Sequence, residues 1–244
     1  MRIGLASMKF VNGDIDFNLS EIEAAINKVK NECDMLVFGE AFLQGFDSLS
    51  WNYQIDKQIA LSQNSFYMEY LKSLSKTNKI DLIIPYIELD NDSIYSSAAV
   101  IIDGKISYNY RRISTGWKEI LKTDTHYKEG DKVLEFVYKN QIFELALCGD
   151  LWNHTSTFQT DAIVIWPVYV DATKEEWDSG LLEEYVNKAN EVSNKVLMVN
   201  SLTDNGAIGG SLVIRNGHLD NTPILEKNAI QIIELEDSQI NLTN

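Results

Sequence analysis

The sequence of 244 residues has few cysteines and histidines and no long apolar run, and each shortage excludes a class of protein. Two cysteines without a CxxC spacing form no disulfide framework, so we expect a reducing, cytoplasmic location. No stretch approaches the roughly 18 consecutive apolar residues of a membrane helix. The start of the chain is typical of a strand and carries no signal-peptide pattern.

Ligand-binding signatures are missing as well. The three histidines lie too far apart to resemble a zinc site, and the chain has neither a Walker A sequence nor a GxGxxG sequence. We therefore predict no metal and no cofactor, and a cofactor-binding α/β protein is disfavoured because no phosphate loop is found.

Positive charge is scarce, with 21 Lys and Arg against 36 Asp and Glu, so the net charge is 21 − 36 = −15. An acidic surface repels phosphate backbones and anionic lipids, so we expect no nucleic acid and no membrane among the partners. No low-complexity tract, repeat or linker divides the chain, and we predict a single domain over residues 1–244.

Apolar patterning predicts helices and strands in alternation. Asn18 and Glu21 form a capping-box pattern that predicts a helix start, and an apolar stripe of helical spacing follows it over residues 22–29. Asp103-Gly104 is a strong hairpin signal. We predict strands at residues 2–9, 35–38, 81–87, 97–102, 105–110, 133–138, 142–147, 162–166, 196–199, 211–214 and 229–235, and helices near 65–76 and 182–189. Hairpins interleaved with helices favour two packed mixed sheets with helices outside.

Three polar residues lie at or just beyond predicted strand ends. Cys148 follows the apolar run 143–147 and precedes Gly149-Asp150, which predicts a turn that would hold the thiol rigidly. Glu40 follows the strand at 35–38, and Arg112 follows the strand at 105–110. A buried cysteine, a solvated glutamate and a surface arginine are the ordinary interpretations of such residues taken singly.

Taken together, these motifs resemble the nitrilase, or carbon–nitrogen hydrolase, superfamily. The resemblance covers most of the chain: the segments are 38–42 for its glutamate motif, 110–113 for its Tyr-Arg-Lys segment, 147–151 for its cysteine motif, and 161–167, 189–200 and 209–214 for later elements. It implies a four-layer α-β-β-α sandwich, which agrees with the two-sheet prediction. It also implies a hydrolase that cleaves the C–N bond of a linear amide or carbamoyl amine through a Cys148 thioester, with release of ammonia.

The resemblance also implies the roles of the site residues. Glu40 is expected to act as the base for Cys148, and Glu119 falls where the family carries a second glutamate. Arg112 stands where the family has its lysine, so either Arg112 or the nearby Lys118 is expected to supply the positive charge. Because arginine does not transfer protons, a catalytically silent binding or scaffold protein on the same fold is the alternative.

Three further expectations complete the sequence-based predictions. Asp150 is expected to cap a turn or to hydrogen-bond within the site. The helix near residues 182–192 is a candidate homodimer surface, although its apolar stripe could equally face the core. The substrate is expected to be a small amide whose identity cannot be deduced from the sequence.

Overall fold

Two six-stranded mixed sheets form the centre of the molecule in a computed structural model, which describes residues 1–236. The strands are β1 (Arg2–Ser7), β2 (Met35–Phe38), β3 (Asp81–Asp90), β4 (Ser93–Ile102), β5 (Lys105–Arg111), β6 (Leu134–Tyr138), β7 (Gln141–Leu145), β8 (Ile163–Val168), β9 (Lys195–Asn200), β10 (Ser211–Arg215), β11 (His218–Leu219) and β12 (Ala229–Glu234). The helices are α1 (Ile15–Val29), α2 (Tyr53–Asp56), α3 (Phe66–Asn78), α4 (Asp150–Asn153), α5 (Lys174–Glu176) and α6 (Leu182–Val192).

The two sheets have matching topologies. The first has the order β12-β1-β2-β3-β4-β5, and the second has the order β11-β10-β9-β8-β7-β6. In each sheet three parallel strands, β1-β2-β3 or β7-β8-β9, are extended by antiparallel strands on both sides. The predicted mixed sheets are confirmed.

Apolar side chains of the two sheets meet in a shared core. Leu5, Val37 and Val100 of the first sheet belong to the same buried cluster as Leu145 and Ile165 of the second. Helices α1 and α3 cover the other face of the first sheet, and α6 packs on β9 and β10. The layers are therefore α-β-β-α, as predicted. None of the helices within residues 1–236 has the length and apolar composition to cross a lipid bilayer.

Short turns join the predicted hairpins. Asp103 and Gly104 have φ of 48° and 71°, and Lys139 and Asn140 have φ of 45° and 62°. Two consecutive left-handed residues are the signature of the hairpin turns that match strand twist. The hairpin predicted at Asp103-Gly104 is confirmed, as β4 pairs with β5 across it.

The predicted start of α1 is wrong. Asp14 is the N-cap and accepts a hydrogen bond from Phe17 N at 3.0 Å. Asn18 is instead buried, because its side chain accepts from Val11 N at 2.7 Å and donates to Leu43 O at 3.1 Å. Those bonds tie two loops to the helix, which a surface cap could not do. The predicted apolar stripe at residues 22–29 is buried as expected.

Helix α6 turns its apolar stripe toward the core. Tyr185, Ala189 and Val192 are buried against the second sheet. A dimer that uses this helix would therefore have to use its polar face, and the homodimer remains a prediction.

Candidate active site

The functional side chains converge where strands of both sheets end. Glu40 lies two residues after β2, and Arg112 directly follows β5, so both belong to the first sheet. Cys148 lies three residues after β7 in the second sheet. The end of β8 binds both segments, because Glu40 N donates to Val168 O at 3.1 Å and Cys148 N donates to Pro167 O at 2.9 Å. The site therefore exists only where the two sheets pack together.

Glu40 is fully buried and has one committed and one uncommitted oxygen. Its Oε1 accepts from Arg112 Nη1 at 2.7 Å and from Ser96 Oγ at 3.1 Å. Its Oε2 has no hydrogen-bond partner among residues 1–236. A buried carboxylate oxygen without a partner is costly unless another group uses it. The carboxylate is thus fixed through one oxygen, and the other can accept a proton.

Arg112 is 3% exposed and is held at two points. In addition to the bond from Nη1 to Glu40, its Nε donates to Ser114 Oγ at 2.7 Å. Burial alone would lower the pKa of Arg112, but the negative charges around it, of which Glu40 is the strongest, outweigh burial and raise it. The guanidinium therefore stays charged and keeps one orientation.

Gly149 makes room for the third guanidinium nitrogen. A β-carbon at Gly149 would overlap Nη2 of Arg112 and would lie 3.1 Å from Ser114 Oγ and 3.2 Å from Asn153 Oδ1. Gly149 has φ of −65°, which any residue adopts, so the backbone conformation does not require glycine here. The glycine is needed for space, and Nη2 lies against the turn that carries Cys148.

Asp150 joins the two loops that carry Arg112 and Cys148. Its fully buried carboxylate accepts four hydrogen bonds: from Ile113 N at 3.0 Å, Ser114 N at 2.8 Å, Leu147 N at 2.9 Å and the Tyr110 hydroxyl at 2.6 Å. The expected turn contact, from Leu147 N, and the expected hydrogen bonding within the site are both present. Because Asp150 binds both segments directly, it fixes the distance between the arginine and the thiol.

Cys148 occupies a strained backbone position at the surface of this cluster. Its φ of 37° is left-handed, which is uncommon for a residue other than glycine and is often found at functional sites. The residue is partly exposed, and its Sγ lies 3.8 Å from Tyr169 O. Burial of the thiol, and then the charge of Glu40, raise the pKa of Cys148 to about 12, although Arg112 acts in the opposite direction. At neutral pH the thiol is protonated, so a nucleophilic reaction requires a base.

Four aromatic side chains form a wall beside Cys148. The Trp166 indole N–H donates to Cys148 O at 2.9 Å, and the ring of Tyr185 lies 5.2 Å from those of Trp152 and Trp166 and 5.7 Å from that of Trp177. Burial raises the pKa of Tyr185, and the charges of Cys148 and Glu40 raise it further. We call these four side chains the aromatic wall.

The structure places Lys118 and Glu119 differently from Arg112. Lys118 Nζ donates to Tyr127 O and pairs with Glu129, both at 2.6 Å. Glu119 is exposed, and its backbone carbonyl accepts from residues 122 and 123 in a turn. Of the two candidate cations, only Arg112 contacts Glu40 in the described part of the chain. Catalytic roles for Lys118 and Glu119 stay predictions.

Several supporting residues had little or no sequence signal. Ser96 and Ser114 are common residue types in unremarkable contexts, and Tyr185 was indistinguishable from other residues of a helical stripe. Asp150 could have been found from its position in the cysteine motif. Within residues 1–236, no group of three or more His, Cys, Asp or Glu side chains is arranged to bind a metal ion.

Comparison with known proteins identifies the class. The chain belongs to the carbon–nitrogen hydrolase family, whose model matches residues 2–167. It is 27% identical over 154 residues to a glutamine-dependent NAD(+) synthetase of Thermotoga maritima, over 63% of this chain and 26% of the relative. It is 23% identical over 151 residues to an (R)-stereoselective amidase of a Pseudomonas species, over 62% of this chain and 52% of the relative. The chain thus spans between a quarter and about half of these relatives.

Solved structures agree in fold. A carbon–nitrogen hydrolase superfamily protein of Xanthomonas campestris, XC1258, superposes with a TM-score of 0.78 at 17% identity, over 96% of this chain and 89% of that one. A mutant amidase of the nitrilase superfamily from Nesterenkonia AN1 superposes with a TM-score of 0.76 at 16% identity, over 97% of this chain and 91% of that one. At such identities the likeness establishes the nitrilase fold.

Proposed function

We propose that the protein hydrolyses a non-peptide C–N bond of a linear amide or carbamoyl amine through a thioester on Cys148, with release of ammonia. The observation that carries this proposal is the meeting of Glu40, Arg112 and Cys148, with Glu40 Oε2 left without a partner. A buried base beside a thiol whose pKa is raised has the arrangement that nucleophilic catalysis needs.

The first half of the reaction forms the thioester. Glu40 Oε2 takes the proton from Cys148, and the sulfur attacks the carbonyl carbon, so that the carbonyl electron pair moves onto its oxygen. The positive charge of Arg112, held in a site with little water, stabilises this oxyanion. Glu40 then gives its proton to the leaving nitrogen, the C–N bond breaks, and ammonia departs.

The second half regenerates the enzyme. Glu40 takes a proton from water, and the resulting hydroxide attacks the thioester carbonyl. The S–C bond breaks as the acid product forms, and Glu40 returns the proton to the sulfur. Every proton passes through Glu40, because arginine keeps its protons at any physiological pH. Arg112 contributes positive charge and orients Glu40. Because Glu40 carries every proton, no lysine is needed for proton transfer.

The relatives support an amide substrate. One is named an amidase and two are named glutamine-dependent synthetases, so their names point to cleavage of an amide. The chain covers only 26% of either synthetase, so we use their names only as support for an amide substrate. Glutamine accordingly belongs in the substrate panel.

Ammonia release tests the proposal. The purified protein would be incubated with short aliphatic amides, glutamine and N-carbamoyl amines, with Cys148→Ala and Glu40→Gln as matched variants. We expect ammonia from at least one substrate, an acyl adduct on Cys148 by intact mass, and a loss of about 10²–10⁴ in kcat for Glu40→Gln. Retention of more than about a tenth of kcat in Glu40→Gln would exclude the base role.

A silent scaffold is the second candidate, because arginine replaces the family lysine. Arg112→Lys separates the two candidates. If the wild type releases no ammonia from any substrate and Arg112→Lys does, the arginine has silenced the site. If the wild type is active and Arg112→Lys is slower, the arginine is the working cation.

The remaining proposals concern location and assembly. Two free cysteines, Cys33 and Cys148, suit a reducing cytoplasm. We also propose a homodimer, formed through surfaces other than the apolar stripe of α6. Light scattering that gives a strict monomer at micromolar concentration would exclude the dimer.

A further inference from the structure

The aromatic wall contains four polar hydrogens, which are the indole N–H groups of Trp152, Trp166 and Trp177 and the hydroxyl of Tyr185. The indole N–H of Trp166 donates to Cys148 O at 2.9 Å. The Trp152 N–H acts as a donor toward the Tyr185 oxygen, which lowers the pKa of Tyr185 against the stronger effect of burial. Trp177 Nε1 has no partner among residues 1–236, although the side chain is only 2% exposed.

An unpartnered buried N–H is unusual enough to need an explanation. Nearly all buried donors in proteins are satisfied, because leaving one unpaired is costly. The neighbouring indoles of Trp152 and Trp166 have acceptors, so the local packing does not exclude hydrogen bonding. A ligand that brings an acceptor to Trp177 would recover the lost interaction.

The backbone fixes Trp177 in this position. A capping box between Thr173 and Glu176 starts α5, and Trp177 then opens a π-helical turn, Trp177–Leu181. Single π-helical turns are rare and frequently lie at functional sites. Gly180 within this turn has φ of 143°, a conformation that strongly favours glycine. The indole therefore has little freedom to turn its N–H toward solvent.

The wall adjoins the reacting atoms on one side and opens to solvent on the other. The ring of Tyr185 lies 5.7 Å from that of Trp177, and the charges of Cys148 and Glu40 raise the pKa of Tyr185. Trp152 is 37% exposed and marks the outer end of the wall. Trp166 contacts Cys148 directly, and Tyr185 and then Trp177 continue the wall from it.

We propose that the Trp177 N–H binds a neutral oxygen acceptor on the acyl chain of the substrate, so that the protein selects linear amides that carry a second carbonyl, carbamoyl or hydroxyl group. A carboxylate is disfavoured next to the thiol, because Glu40 is negatively charged and Arg112 is already paired with it. A second cation, Lys188, lies over the ring of Trp152 at the outer end of the wall and is paired with Glu191. This inference rests on the proposed function and specifies its substrate class.

Paired substrates test the inference. Each symmetric diamide from malonamide to adipamide would be compared with the monoamide in which an isopropyl group replaces the second carboxamide, a change that keeps shape and removes the acceptor. Trp177→Phe keeps a ring and loses the N–H, and Trp152→Phe is the matched control. A site built to hydrogen-bond a substrate group discriminates against the analogue that lacks it.

We expect the wild type to prefer one diamide over its isostere by about tenfold in kcat/KM, as one neutral hydrogen bond allows. The preference should fall below about twofold in Trp177→Phe and persist in Trp152→Phe. A preference that survives Trp177→Phe, or a wild type with no preference for any diamide, would overturn the inference.

Binding to Cys148→Ala separates this inference from the proposed function, because the variant binds amides without turning them over. In ¹⁵N-labelled Cys148→Ala, the indole resonance that disappears in Trp177→Phe should shift downfield with the preferred diamide and not with its isostere. If this shift occurs while the wild type releases no ammonia, the hydrolase proposal fails and the binding site stands. Absence of the shift at saturating diamide refutes the binding site, whatever the activity.

Discussion

Gly149→Ala should destabilise the protein because the arginine beside it leaves no room for a methyl group. The added β-carbon would overlap Nη2 of Arg112 and come within 3.1 Å of Ser114 Oγ. Alanine is otherwise well suited to the position, since φ is −65° and ψ is −8°. The whole effect is therefore steric, and it falls on the side chain that is paired with Glu40.

The expected size follows from how Arg112 can respond. A small shift of the guanidinium is an overpacking change that costs about 1–3 kcal/mol. Complete displacement would leave Glu40 buried without its partner, which costs about 3–5 kcal/mol. For a chain of this size, each kcal/mol lowers Tm by about 2–4 °C. We expect Gly149→Ala to lower Tm by about 2–12 °C if the guanidinium shifts and by about 6–20 °C if it is displaced.

A double-mutant cycle with Arg112→Lys identifies the cause. Lysine has a single ammonium group and lacks the Nη2 atom that the new methyl group would overlap. Gly149→Ala should therefore lower the free energy of unfolding much less in the Arg112→Lys background, and the coupling free energy should exceed about 1 kcal/mol. Gly116→Ala is a milder control, since its β-carbon would lie 3.1 Å from the same nitrogen. Thermal and urea unfolding measure all four corners of the cycle. A coupling within about 0.5 kcal/mol of zero would refute the reasoning.

Three further outcomes follow from buried polar groups. Burial, and then the charge of a neighbouring glutamate, raise the pKa of Glu144 from 4.5 to about 7, so the native state holds this proton more tightly than the unfolded chain. Stability should therefore fall by on the order of 3 kcal/mol as pH rises from about 4.5 to 7, and Glu144→Gln should flatten this part of the urea-unfolding profile; an unchanged slope would contradict the assignment. Asp150→Asn should cost about 3 kcal/mol or more in urea unfolding, because an amide cannot accept four hydrogen bonds, and a loss below 1 kcal/mol would be inconsistent with the network. Iodoacetamide followed by peptide mass spectrometry should label Cys148 at least about tenfold faster than Cys33, because Cys148 is partly exposed and has Glu40 as a base, whereas Cys33 is buried; equal rates would rule out a base-activated thiol.

Most of the fold could be predicted from the sequence because local and global preferences agree. The strands at residues 35–38 and 211–214 lie almost where apolar runs placed them, since a buried strand must be apolar on both faces. The hairpin at Asp103-Gly104 could be predicted from its two turn residues alone. Asn18 shows the limit of such reasoning, because its hydrogen bonds go to residues that are distant in sequence and only the folded chain brings near.

The candidate site was predictable in its main residues and not in its geometry. Strand ends marked Glu40, Arg112 and Cys148, but nothing in the sequence decided between Arg112 and Lys118. That choice depends on Asp150, which binds the backbone just after Arg112, and on Tyr127, whose carbonyl holds Lys118 elsewhere. Both are tertiary contacts that cross loops.

The pairing of β1 with β12 has a consequence for the order in which the protein can form during synthesis. Residues 2–7 lie against residues 229–234, and the N-terminal amino group donates to Leu235 O at 2.8 Å. A ribosome releases residues 2–7 long before residues 229–234, so one edge of β1 stays unpaired while the segment between them emerges. Unpaired edges invite association with other chains. The edge of β1 is therefore open to association with other chains for as long as β12 is missing.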